Sequence, residues 1–106
     1  MLPKKNRVDK KNIDLIFKKG KFIGSPSLTF KFFFHNSGRK VSFIVPKNVA
    51  KLAVQRNLLK RYGYSALKEL INRFPVGVVG VFVFKKPEKN VLKIKNEIKN
   101  ILNKIS

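Results

Sequence analysis

The nine residues from Val76 to Phe84 read Val-Gly-Val-Val-Gly-Val-Phe-Val-Phe, with no charge and no polar side chain among them. Valine and phenylalanine dominate the run and do not alternate with polar residues, which is the pattern of a strand buried on both faces. Such a strand belongs in the interior of a sheet. Lys85-Lys86-Pro87 closes it, and the run is too short to cross a bilayer as a helix.

The remaining segments supply partners and cover for that strand. Asp9 to Lys19 reads as a short helix that buries Leu15 and Ile16. Asp9 is its N-cap, Lys18 and Lys19 stand in the last turn where the helix dipole favours cations, and Gly20 is the stop. Lys21 to Ile23 forms a short strand before the Gly24-Ser25-Pro26 break. From Leu28 to His35 the phenylalanines alternate: Leu28, Phe30, Phe32 and Phe34 share one face, and Thr29, Lys31, Phe33 and His35 the other. A turn at Asn36-Ser37-Gly38 predicts a hairpin with the next strand, Lys40 to Val45.

A long helix is predicted from about Asn48 to about Arg73, with Leu52, Leu59, Tyr62, Ala66 and Leu70 on its core side. Gly63 within it costs about 1 kcal/mol relative to alanine and suggests a bend. The spacing of Val91, Ile94, Ile98, Ile101, Leu102 and Ile105 predicts a final amphipathic helix. The expected fold is therefore α+β, in the order α-β-β-β-α-β-α, with a single central sheet of about four strands and three helices packed on it. With 106 residues and 43% hydrophobic content, one core and one domain, 1–106, are expected, residues 1–8 being a basic arm. A strand-helix-strand crossover between parallel strands is ordinarily right-handed.

Charge narrows the partner. There are 25 Lys and Arg against 5 Asp and Glu, a formal +20 on 106 residues. Self-repulsion of that size calls for a polyanion, and nucleic acid is the expectation. A membrane surface is the competitor, but no segment sets a broad apolar face against a Lys-lined one without also being needed for the core. There is no cysteine, so neither disulfides nor thiolate metal sites can form, which fits a reducing compartment. No apolar run resembling a signal peptide occurs in residues 1–20, and a cytoplasmic location is expected.

The side chains for hydrolysis are nearly missing. His35 is the sole histidine, and the acids are Asp9, Asp14, Glu69, Glu88 and Glu97. Asp9 and Asp14 are the close pair, but five residues apart on a helix they point to different faces. No catalytic residue, protein-held metal or small-molecule substrate is expected. Aromatic rings interleaved with cations suit single-stranded RNA instead, where bases stack on rings while lysines follow phosphates. Phe30, Phe32, Phe34, Phe43, Phe82 and Phe84 are expected in the core. Phe17, Phe22 and Phe33 are left for a surface.

The densest cationic pattern lies in Lys51-Leu52-Ala53-Val54-Gln55-Arg56-Asn57-Leu58-Leu59-Lys60-Arg61. On a helix Arg56 stacks above Lys60 and Asn57 above Arg61, giving two adjacent polar columns. Like charges at that spacing cost about 0.2–0.5 kcal/mol, and no carboxylate occurs between Asp14 and Glu69 to relieve them. The face is expected to meet an anion.

These residues resemble a known family, the protein subunit of bacterial ribonuclease P, whose ribonucleoprotein removes 5′ leaders from precursor tRNA. The likeness runs over nearly the whole chain. Asn6-Arg7-Val8 through Ile16-Phe17-Lys18-Lys19-Gly20 is similar to the family's basic arm and first helix. Ile44-Val45-Pro46-Lys47, followed by Ala53 to Arg61, is similar to its strand and "RNR" helix. Leu58 stands where the family most often has a second Arg, Pro46 where it has a small residue, and Tyr62-Gly63 interrupts a stretch that is more often basic. Ile13 falls near the position of a second aromatic in some members.

The resemblance implies that an RNA subunit performs hydrolysis with Mg2+ that it mainly holds itself, while the protein grips the leader. It implies contact with the ribonuclease P RNA through Lys47, Lys51, Arg56, Asn57, Lys60 and Arg61, and with the leader of precursor tRNA through Ile13, Phe17, Lys31 and Phe33. It also implies a left-handed β-α-β crossover, against the general expectation. The alternative left open is a general or ribosomal RNA-binding protein with no role in cleavage.

Overall fold

The computed structural model describes Val8, residues 10–34 and residues 38–105. The arm before Val8, the proposed cap Asp9, His35 and the Asn36-Ser37 turn lie outside the described residues. The elements follow the expected order: α1 (Lys10–Lys19), β1 (Lys21–Gly24), β2 (Leu28–Phe34), β3 (Lys40–Ile44), α2 (Ala53–Leu67), β4 (Val78–Phe84) and α3 (Val91–Ile105), with a 3-10 turn at Ile71–Arg73.

The four strands form one mixed sheet in the order β1-β2-β4-β3. β4 runs antiparallel to β2 and parallel to β3, so α2 lies on a β-α-β crossover between neighbouring strands. The predicted hairpin of β2 with β3 does not form. β4 is inserted between them and takes the hydrogen bonds of both, which is what a strand apolar on both faces requires. The hairpin that does form joins β1 to β2.

Each face of the sheet has its own apolar layer. On one, Phe30, Phe32, Phe43, Phe82 and Phe84 meet Leu59, Ala66 and Leu67 of α2 and Ile94, Ile98, Ile101 and Leu102 of α3. Phe82 stands at its centre, stacked on Phe30 at 4.3 Å and Phe43 at 5.1 Å, with Phe74 edge-on at 6.2 Å. On the opposite face Val79 and Val81 pack with Ile16 of α1 and with Val8. Val8, counted with the basic arm in the sequence, is buried, and its amide donates to Ser42 Oγ at 2.8 Å. Val8 is thereby pinned to β3.

Several predicted details differ. α2 begins five residues later than expected, because residues 46–50 fold into turns in which the amides of Val49 and Ala50 donate to the Pro46 carbonyl. Leu52 precedes the helix and is 59% exposed rather than part of the core. The helix also stops at Leu67, and Leu70 and Ile71 are buried from the turn that follows. Leu15 is exposed, and among the described side chains of α1 Ile16 alone is fully buried. Phe34, expected in the core, is 56% exposed at the end of β2.

Gly63 marks a close approach. A Cβ there would lie 2.6 Å from a ring carbon of Phe43, so glycine lets α2 settle on β3. In a free helix Gly63→Ala would stabilise by about 1 kcal/mol. Here it is expected to destabilise by about 1–3 kcal/mol through overpacking, seen as a lower urea midpoint at unchanged slope.

Three of the acids are tied to α3. Glu97 is buried, and its Oε1 accepts from Ser25 Oγ at 2.5 Å and from the Ser27 amide at 2.7 Å, locking the β1-β2 turn onto the helix. Glu88 pairs with Lys93 at 3.0 Å, and Glu69 pairs with Lys95. The hydrogen bond from Lys93 holds the Glu88 carboxyl below its ordinary value of 4.5, with a backbone bond from Asn90 assisting. A carboxyl depressed in the folded state contributes stability that is whole above its unfolded value and is lost as pH falls through the folded one. Thermal melts from pH 6 down to pH 3 are expected to lose stability in this window, and Glu88→Gln to flatten part of that loss.

Candidate nucleic-acid interface

The cationic columns of α2 face away from the sheet. Leu59, Gly63, Ala66 and Leu67 point to the core, which turns Asn57 and Arg61 fully outward and leaves Arg56 and Lys60 half-exposed. Lys47, in the turn after β3, and Lys51, just before the helix, are exposed as well. The six residues thus belong to the β3-α2 connection and the first turns of α2. An open groove continues past Leu58, Arg61 and Tyr62 to Ser65 and Lys68, so Lys68 extends the same cationic side.

Arg56 has a second task. Its Nη1 donates to the carbonyls of Ala50 at 3.1 Å and Lys51 at 2.6 Å. Leu52, at the N-cap, offers no side-chain cap, so the guanidinium orders the segment leading into the helix by reaching back to it. One nitrogen of the fork is used in this way, and a guanidinium carries five N–H donors in all.

The other candidate set is gathered across the sheet, on the face covered by α1. Ile13 and Phe33 pack against the Val8, Ile16, Val79 and Val81 cluster and are half-buried. Phe17 is 46% exposed, and the ammonium of Lys31 lies over its ring, 4.6 Å from the centroid. Four residues scattered over twenty-one positions of sequence therefore line one surface formed by α1 and β2. Residues directly opposite in neighbouring strands point to the same side of a sheet. Phe22 pairs with Lys31, so it joins this face from β1, and it is 73% exposed.

The two sets occupy opposite faces of the sheet, because α1 packs on one and α2 on the other. One is a cationic helix surface, suited to phosphates. The other combines rings with a lysine, suited to unstacked bases. Sequence reasoning found the members of both but not Phe22's place, which depends on the β1-β2 register, nor Arg56's bonds to the preceding loop. Among the described residues no three of His, Cys, Asp and Glu converge. No helix among the described residues is long and apolar enough to cross a membrane.

A family model described as Ribonuclease P matches residues 2–106. No curated protein sequence matches the chain. Among solved structures, the RNase P protein from Thermotoga maritima superposes with a TM-score of 0.82 at 20% identity, covering 94% of this chain and 97% of that one. The Staphylococcus aureus RNase P protein gives 0.77 at 20% identity, covering 94% of each chain. The Thermotoga maritima protein in complex with 1-(4-fluorophenyl)-2-thiourea gives 0.79 at 20% identity, covering 92% of this chain and 96% of that one. At these identities the structures speak for the fold.

Proposed function

The chain belongs to the Ribonuclease P family, and from that premise we propose that it is the protein subunit of a bacterial ribonuclease P, binding the catalytic RNA and the 5′ leader of precursor tRNA. The observation that carries this reading is the family match, which spans almost every residue. On this reading Lys47, Lys51, Arg56, Asn57, Lys60 and Arg61 contact phosphates of the RNA subunit. Ile13, Phe17, Lys31 and Phe33 form the surface for the single-stranded leader. The chemistry, Mg2+-dependent hydrolysis of a phosphodiester, resides in the RNA, which holds the ion. The chain's part is to neutralise phosphate repulsion and to position the leader.

The test is cleavage of a precursor tRNA at low magnesium by a bacterial ribonuclease P RNA, with the protein, without it, and by the protein alone. Cleavage that needs both components is expected. Tight RNA binding without rescue would favour a general RNA-binding protein, and cleavage by the protein alone would overturn the assignment of chemistry to RNA.

Within the holoenzyme the two surfaces separate experimentally. Phe17→Ala is expected to weaken precursor binding roughly 5- to 150-fold, the worth of one stacked base. Assembly with the RNA subunit should be unchanged, since α1 lies across the sheet from α2. Equal losses in both assays would sink the division.

A further inference from the structure

Phe22 is the most exposed phenylalanine on the α1 side of the sheet, at 73%, and nothing in the fold explains it. It lies in the middle of β1, an edge strand of the sheet. Edges are normally guarded by charge, because an apolar side chain beside unpaired backbone groups invites aggregation. Its register partner is Lys31, whose ammonium covers the Phe17 ring on the other side. One lysine is thus common to two exposed rings: its ammonium lies over one from α1, and its backbone is the register partner of the other, from β1.

We propose that Phe22 is a further leader-binding residue, forming with Phe17 a two-ring platform for unstacked bases of single-stranded RNA, with Lys31 placed for the phosphate between them. This rests on the leader-binding reading above and extends it outward along the sheet. The occupant follows from charge and shape. Lys18, Lys19 and Lys21 flank the rings in sequence, and a formal +20 disfavours a second copy of the chain or any basic partner. A bare ring beside a lysine offers stacking and a counter-charge, which together suit a nucleotide. A duplex keeps its bases stacked, so the fit is to a single strand.

The test exploits the absence of tryptophan from the chain. In the holoenzyme, Phe22→Trp provides a single indole whose emission should change when precursor tRNA is added and remain steady with mature tRNA. In parallel, Phe22→Ser should weaken precursor binding at least about fivefold, with the loss shrinking as the leader is shortened to one nucleotide. Phe22→Tyr should restore it. An emission unmoved by precursor, or a Phe22→Ser loss equal for precursor and mature tRNA, overturns the proposal. So does an emission change that follows protein concentration without RNA, which would mark self-association. Should the unsubstituted holoenzyme show no preference for precursor over mature tRNA, the leader reading itself falls; a preference kept equally by Phe22→Ser removes only Phe22.

Discussion

Phe82→Ala is expected to destabilise the fold by about 3–5 kcal/mol, a large part of the roughly 5–15 kcal/mol available to a domain of this size. The ring is fully buried in the middle strand and touches Phe30, Phe43 and Phe74. Removing it opens a cavity that its neighbours cannot fill, because they are held from three directions: β2, β3 and the chain before β4. Gly80, two residues earlier on the same face, leaves no slack, since a Cβ there would meet the Phe30 ring at 2.5 Å. Urea unfolding followed by circular dichroism measures the loss. The exposed Leu92 serves as the control, its change to alanine staying within about 0.5 kcal/mol. A Phe82→Ala cost near that of Leu92→Ala would mean that the aromatic layer is not the core.

The same strand explains what was legible in the sequence. An apolar run with no alternation announces a central strand, and alternation in β2 assigns Phe30 and Phe32 to one face and Lys31 and Phe33 to the other, as observed. Strand order is a different kind of information. A turn between β2 and β3 reads locally as a hairpin, whereas the pairing that wins is made with β4, which arrives about forty residues later and satisfies both strands at once. Periodicity also gives a side without saying how far the cover extends, and Phe34 projects past it. The cationic residues of α2 were legible because helical spacing alone sets them side by side. Phe17 and Lys31 meet only through the packing of α1 on the sheet, and the bonds from Arg56 to Ala50 and Lys51 depend on where the helix starts.

Those bonds shape the last expectation. If Lys47, Lys51, Arg56, Lys60 and Arg61 each neutralise one phosphate, the logarithm of affinity for the RNA subunit should fall with the logarithm of salt at a slope of about −3.5 to −4.5. Between 50 and 200 mM salt that is roughly a 100- to 500-fold loss of affinity. Arg61→Ala should reduce the slope by about 0.7–0.9 and leave stability alone, because its side chain is exposed. Arg56→Ala should reduce the slope similarly and also cost about 1.5 kcal/mol of stability, because two carbonyls lose their charged donor. Arg56→Lys separates the two effects: the shorter lysine keeps the charge but does not carry a donor to the place of Nη1, so the salt slope should persist while stability falls. Filter binding across a salt series, paired with urea melts of the free protein, reads both quantities. A slope indifferent to Arg61 and Arg56 alike would remove α2 from the RNA contact, whatever its charge.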